Sequence, residues 1–378
     1  MELYLDNAAT TYVYEEVLEY YYNILKNYFA STGSLHKLGQ QSLALELEAK
    51  YKISCLLNVK PTEILFNSGA TEGNNYAIKG VALNYKKRGK TIITSKVEHP
   101  SVLECFKQLE KDYGFNCIYL DVDENGIVDL EQLKSVLNDD VILVSIMYVN
   151  HEVGAIMPIK EIHEILKNYP KVIFHSDITQ AICKCDVNFS YLDIATMSGH
   201  KIHGLKGSGF MYKKEKVNLY ELISGHPASN AMRAGTSPWM NNLALAKALE
   251  LSLKNYRDNA LKLKECQIKI IAALNKIDGI VVNTVLDKSI YSIINFSAIN
   301  YNSEVIIRAL SFKNIYVSSR SVCTTSKDSQ ISLTLNAMHK DYNVTISSIR
   351  ISLDKPLSDE EINYFITSLK EVLNSTRK

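Results

Sequence analysis

The sequence predicts an α/β fold in which a mostly parallel, doubly wound sheet carries helices on both faces and a smaller α+β domain follows. Three observations predict it. Short apolar runs alternate with helical patterns between Ile64 and Met197, the rhythm of successive βαβ units. Several runs end in polar, glycine-bearing turns, at the edge where open α/β sheets collect ligands. A long helical stretch from Trp239 to about Ile277 then breaks the rhythm. Residues 13–250 are expected to form a large domain, with 1–12 and 251–378 making the smaller one.

In order, Leu3-Tyr4-Leu5 and the polar Asp6-Asn7-Ala8-Ala9-Thr10-Thr11 open the chain, before helices over 13–29 and 36–57. The alternation follows, with strands at 64–66, 91–94, 117–120, 141–149, 172–175 and 192–197. Helices over 71–85, 101–113, 130–137 and 159–169 connect them. After the long helix come strands at 290–296, 315–318 and 349–353, with helices over 303–312 and 359–373.

Composition narrows the class. A chain of 378 residues can bury two cores. Lys plus Arg is 42 against 41 Asp plus Glu, and no basic block points to nucleic acid. The start, Met1-Glu2-Leu3-Tyr4-Leu5-Asp6, has no basic or long apolar region, so no signal peptide is expected. The longest uncharged apolar run, 141–150, is too short for a bilayer. The seven cysteines, Cys55, Cys105, Cys117, Cys183, Cys185, Cys266 and Cys323, are scattered and odd in number. That suits reduced thiols in the cytoplasm. Cys183-x-Cys185 lacks a second pair, so no metal site is expected.

The polar strand ends carry the chemistry. Ser198-Gly199-His200-Lys201 follows the run 192–197. A partly desolvated lysine there can clamp an anion, act as a base or form a Schiff base; a solvated lysine in a glycine loop is the plain alternative. Asn67-Ser68-Gly69-Ala70-Thr71-Glu72-Gly73 is a glycine turn entering a helix. Its free N–H groups would cradle an anion, unless it is an ordinary N-cap. His99 precedes Pro100 and is held extended, so its ring can lie against a planar ligand or simply sit in a surface turn. His151, within Asn150-His151-Glu152, reads as part of a hydrogen-bonded turn. Asp177 can hold a protonated ring nitrogen or merely cap a helix. Each reads more simply as structure when taken alone. Together they offer an anion cradle, a ring-facing histidine, an aspartate and a lysine at one sheet edge, which are the parts pyridoxal phosphate needs.

At this point the sequence resembles the cysteine desulfurases, within the class V aminotransferase group of fold-type-I pyridoxal-phosphate enzymes. The matching segments run in family order: Tyr4 to Thr11, Ser68-Gly69-Ala70-Thr71-Glu72, Glu98-His99, Asp177 to Gln180, Ser198-Gly199-His200-Lys201, Arg233-Ala234-Gly235-Thr236, Ser318 to Cys323, and Arg350-Ile351-Ser352-Leu353. The resemblance implies that Lys201 holds the cofactor as an imine, His99 stacks on its ring and moves protons, Asp177 pairs with the pyridine nitrogen, and Gln180 bonds the ring hydroxyl. It implies that Thr71, Ser198 and His200 hold the phosphate, that Ala70 belongs to the cofactor site, that His151 lies beside the ring, and that Thr236 reaches in from a second subunit of a homodimer. Arg350 would grip the substrate carboxylate. Cys323 would take sulfur from L-cysteine as a persulfide, leaving alanine, and pass it to an acceptor protein for iron–sulfur clusters or for tRNA or cofactor thiolation.

The chain departs from the family pattern at four places. Arg320 and Asp354 stand where glycine is usual, and His151 where asparagine is usual. Gly225-His226-Pro227-Ala228-Ser229-Asn230 replaces a glycine-rich run. These changes leave a sister lyase or aminotransferase, such as a selenocysteine lyase, or a non-catalytic scaffold of the same fold, as competing expectations.

Overall fold

The computed structural model describes residues 1–225, 233–319 and 331–376. Its elements in chain order begin with β1 (Leu3–Tyr4), α1 (Glu15–Asn27), α2 (Lys37–Leu57), β2 (Ile64–Asn67), α3 (Ala70–Tyr85), β3 (Thr91–Ser95), α4 (Pro100–Tyr113), β4 (Asn116–Leu120) and α5 (Leu130–Val136). β5 (Val141–Ser145), α6 (Ile159–Leu166), β6 (Ile173–Asp177), β7 (Ile194–Ser198), β8 (Gly209–Lys213) and α7 (Trp239–Leu274) follow. The chain continues through β9 (Ile280–Val282), β10 (Ile293–Ala298), α8 (Ser303–Ser311), β11 (Ile315–Tyr316), α9 (Leu333–Ala337), α10 (Tyr342–Ile346), β12 (Ser348–Ser352) and α11 (Asp359–Thr376).

Seven strands form the main sheet in the order β2-β8-β7-β6-β5-β3-β4. β8 runs antiparallel to both β2 and β7, and the other pairings among the described strands of this sheet are parallel. β3, β5, β6 and β7 are buried throughout, which is why neighbouring residues such as Ile92-Ile93, Val141 to Val144 and Ile173-Phe174 are apolar together rather than in alternation. Alternate residues still go to opposite faces. Ile92, Leu143, Ile173, Ile194 and Met211 join the core under α3 and α4. Ile93, Val144, Phe174, Ala195 and Phe210 join the larger core on the other face. A second sheet, β12-β10-β9, is antiparallel and packs a separate core with Leu3, Leu5, Phe365 and Leu369. α7 runs through both, with Leu243 to Leu249 in the large core and Leu263 to Leu274 in the small one. At 36 residues it spans about 54 Å.

Three sequence expectations shift. The strand expected over 141–149 ends at Ser145, because the chain beyond it turns around Asn150, whose Oδ1 accepts the N–H groups of Glu152 and Val153. β6 runs two residues further than read and β7 one, so Asp177 and Ser198 are the last residues of their strands rather than part of the turns that follow. β8 was not anticipated; it fits between β2 and β7 only because Gly209 lets its backbone approach, a Cβ there lying 2.5 Å from Met197 O. Among the described residues, no helix is long and apolar enough to cross a membrane.

Candidate active site

A cavity of about 290 Å³ opens at the carboxyl edge of the main sheet. Ala70, Thr71, His99, His151, Asp177, Gln180, Ser198, His200, Lys201 and Arg350 all line it. β7 delivers Ser198 and the helical turn after it Lys201, β6 delivers Asp177, the β3–α4 turn delivers His99, and β12 delivers Arg350. A second hollow adjoins it around Ser68, Gly69, Ala70 and Thr71. Thr236 is exposed and does not line the cavity of its own chain. Cys323 and Arg320, like His226 to Asn230, lie outside the described residues.

The anion-cradle turn has the backbone such a site needs. Gly69 has φ +140°, a conformation few side chains tolerate, and the Ala70 N–H donates to Ser198 Oγ at 2.7 Å. The positive end of the 16-residue helix α3 faces that turn. Lys201 Nζ donates to Ala8 O and Ala9 O at 2.6 and 2.7 Å. Gln180 Nε2 reaches the same Ala8 O at 2.9 Å.

Asp177 and His99 share one network. Asp177 Oδ1 accepts the Thr179 N–H at 2.9 Å, and Oδ2 accepts Asn74 Nδ2 at 2.8 Å. Asn74 Nδ2 also donates to Ser101 Oγ at 2.8 Å, and Ser101 Oγ lies 2.8 Å from His99 Nδ1. The Ser101 N–H points at that same Nδ1, 3.1 Å away. A backbone N–H can only donate, so Nδ1 is the acceptor and neutral His99 carries its proton on Nε2. Burial pulls the His99 pKa below the ordinary histidine value; Asp177 opposes the shift and Lys201 adds to it. His151 meets His99 edge to face with ring centroids 5.5 Å apart. Burial, followed by His99, Arg350 and Lys201, holds its pKa well below the usual range. His151 Nδ1 is buried with no hydrogen-bond partner among the described residues.

At the other end of the cavity Arg350 is 3% exposed. Its Nη1 donates to His151 O at 2.8 Å, and its Nη2 donates to Asp6 Oδ1 at 3.0 Å and Ser318 Oγ at 2.9 Å.

Residues 3–365 match the model of the class-V aminotransferases. The chain belongs to that family. It is 37% identical to the cysteine desulfurase IscS of Dictyoglomus turgidum, over 100% of this chain and 95% of that protein. A solved NifS-like protein, 33% identical, superposes with a TM-score of 0.93 over 99% of this chain and 100% of its own. A third relative, solved as SspA in complex with cysteine, is 28% identical with a TM-score of 0.82, covering 95% of this chain and 100% of that one. Family membership fixes the fold as that of the fold-type-I enzymes, with the mostly parallel sheet described above.

The sequence reading missed three members of the site. Asn74 and Ser101 join His99 to Asp177, and Asp6 pairs with Arg350. Asn74 left a signal: it falls on the buried face of α3 in register with Ala77, Ile78 and Val81, where an amide needs buried partners.

Proposed function

We propose that the chain is a pyridoxal-phosphate-dependent cysteine desulfurase. In this reading it converts L-cysteine to L-alanine in the cytoplasm and passes sulfur to Cys323 as a persulfide, for iron–sulfur clusters or for tRNA or cofactor thiolation. It would act as a homodimer, with Thr236 supplied to the neighbouring site, and hand the sulfur to an acceptor protein. Residues 13–250 would be the cofactor domain, and 1–12 with 251–378 the smaller one. The observation that carries the reading is the convergence of an amine, Lys201 Nζ, a carboxylate, Asp177, and the open-backboned turn at Gly69 on one cavity. Full-length similarity to a named cysteine desulfurase supports the activity, and the relative solved with cysteine supports the substrate.

The residues fit the cofactor. A Cβ at Gly69 would lie 3.0 Å from Ser198 Oγ, so the turn keeps its backbone clear for a ligand. The Asp177 carboxylate is fixed in place by two N–H donors, and the buried His151 Nδ1 has no partner among the described residues. Ala70, Thr71, Ser198 and His200 would hold the phosphate, Asp177 the ring nitrogen and Gln180 the ring hydroxyl, with His99 and His151 against the ring. When bound, pyridoxal phosphate supplies an aldehyde open to amines and a ring that stores an electron pair.

The chain's own groups divide the remaining work. Lys201 anchors the cofactor and, once released, can hold a proton at Nζ. His99 offers Nε2–H as a donor to a nearby developing negative charge, and is the ring atom through which a proton would leave or arrive. Arg350 orients the substrate carboxylate. Cys323 is the nucleophile, taking sulfur from the bound substrate.

The deciding experiment measures sulfide and alanine from L-cysteine with purified, cofactor-loaded protein. Wild type should release both, and Cys323→Ala should lose sulfide release roughly 100-fold or more while keeping its visible absorbance. Full turnover in the variant rejects the assigned nucleophile. A sister lyase or aminotransferase is the second reading, favoured by Gly225-His226-Pro227-Ala228-Ser229-Asn230 in place of the usual glycine-rich run. A screen of amino acids for spectral change separates the two, since a poor response to cysteine supports the second.

A further inference from the structure

We infer that Asp6 occupies half of the seat on Arg350 into which a substrate carboxylate must come, so that substrate binding exchanges one carboxylate for another. The inference rests on the proposed role of Arg350 and adds a positioning residue to it.

A guanidinium offers a carboxylate two parallel pairs of N–H groups, Nε with Nη2 and Nη1 with Nη2. Both pairs use Nη2. In this protein Nη2 donates to two acceptors, Asp6 Oδ1 at 3.0 Å and Ser318 Oγ at 2.9 Å, so its hydrogens are engaged. Nη1 gives one hydrogen to His151 O at 2.8 Å. Nε is buried and has no partner among the described residues. Neither pair is fully open, and the orphan Nε–H marks the Nε/Nη2 pair as the one a ligand completes. A bidentate carboxylate therefore enters only when an Nη2 acceptor yields.

Ser318 is the more enclosed of the two acceptors, 6% exposed. Its N–H donates to Arg350 O at 3.2 Å, and its carbonyl accepts the Arg350 N–H at 2.7 Å, so the backbone locks it beside the arginine. The Asp6 backbone is bridged to Ser352, but its side chain is 20% exposed, so the carboxylate, which also accepts the Ser318 hydroxyl at 2.7 Å, can turn toward water and leave that hydroxyl to the incoming carboxylate. The exchange also selects the ligand. Arg350 is nearly fully buried, and removing its counter-charge without replacement is costly. Another carboxylate can take over from Asp6; an amide or a plain amine cannot. Asp6 thus tunes affinity for the carboxylate of an α-amino acid and excludes ligands that lack one.

The test uses cofactor-loaded protein, with L-alanine and L-alaninamide as probes and calorimetry as the readout. Wild type should prefer L-alanine. Asp6→Asn removes the competing charge, so the Kd for L-alanine should fall roughly tenfold, the worth of one hydrogen bond to a charged group, while L-alaninamide binding stays unchanged. Asp6→Ser is the second variant, should the first fold poorly, and must move L-alanine in the same direction. An unchanged or higher Kd for L-alanine in a folded variant overturns the inference, because a merely orienting Asp6 would weaken binding when removed. A wild type with no preference for L-alanine over its amide removes Arg350 as the seat, a failure separate from any effect at Asp6.

Discussion

Replacing Asn74 with alanine tests the network that ties Asp177 to His99. Asn74 is fully buried; its amide donates to Asp177 Oδ2 and Ser101 Oγ, both at 2.8 Å, and its carbonyl accepts the Thr196 hydroxyl. Truncation strips a donor from a buried carboxylate, which alone is worth about 1.5–3 kcal/mol. Ser101 and Thr196 each lose one partner but keep another, His99 Nδ1 and His175 Nε2 respectively, so each adds only the modest net cost of a neutral bond. The expected loss of folding stability is about 3–4 kcal/mol, large for a point change. Urea unfolding followed by far-ultraviolet circular dichroism measures it, and the visible spectrum of bound cofactor reports the site. A loss under about 1 kcal/mol with an unchanged spectrum would mean that Asp177 is held by something other than this amide.

Two further outcomes are expected. Lys201→Ala should fold normally by circular dichroism yet lose the visible absorbance of covalently held cofactor, and an unchanged spectrum would detach the cofactor from this lysine. The second concerns pH. Burial takes the His175 pKa down to about 4, so the folded protein keeps this ring neutral where the unfolded chain protonates it. Its contribution is complete above the unfolded value near 6.5 and is lost as pH falls toward 4, about 2 kcal/mol by pH 5. Glu98, pushed up to about 8 by burial, has the opposite sign, its contribution shrinking as pH rises from the ordinary carboxylate range to 8. The histidine part is isolated by comparing urea stabilities at pH 7 and 5 in wild type and His175→Gln, whose drop should be about 2 kcal/mol smaller. Equal drops would show that His175 is protonated in the folded state.

The main sheet was legible because its inner strands are buried on both faces, and an unbroken apolar run such as Val141-Ile142-Leu143-Val144 cannot be solvated. β8 escaped because five residues after a glycine loop look like that loop's continuation until β2 and β7 are seen on either side. The cavity residues at strand ends were legible for a related reason: Asp177, Ser198 and Lys201 are polar where the pattern had been apolar. Asn74 and Asp6 were not, since each acts through a partner far away in sequence, and Ser101, two residues from His99, gains its role only through Asn74. Asn74 lies 103 residues from Asp177, and Asp6 lies 344 from Arg350. Such pairings exist only once the fold has closed.

The opening segment shows what that closure achieves. Leu3 and Leu5 are buried in the smaller core, and the Ser352 N–H donates to Leu5 O at 2.7 Å, which fixes the segment to β12. Asp6 then reaches Arg350, two residues back along that strand. Ala8 O and Ala9 O receive Lys201 Nζ from the main sheet, and the Thr11 N–H donates to His200 O at 2.9 Å. Within six residues the chain bonds to the proposed substrate anchor on one core and the proposed cofactor anchor on the other. The spacing between those two groups is therefore set by a short covalent tether as well as by side-chain packing across the cavity. Lengthening the tether by one residue between Asp6 and Ala8 would leave both cores intact while moving one anchor against the other. Catalysis should suffer far more than folding, because misplacing a reacting group by about 1 Å costs on the order of 100-fold in rate.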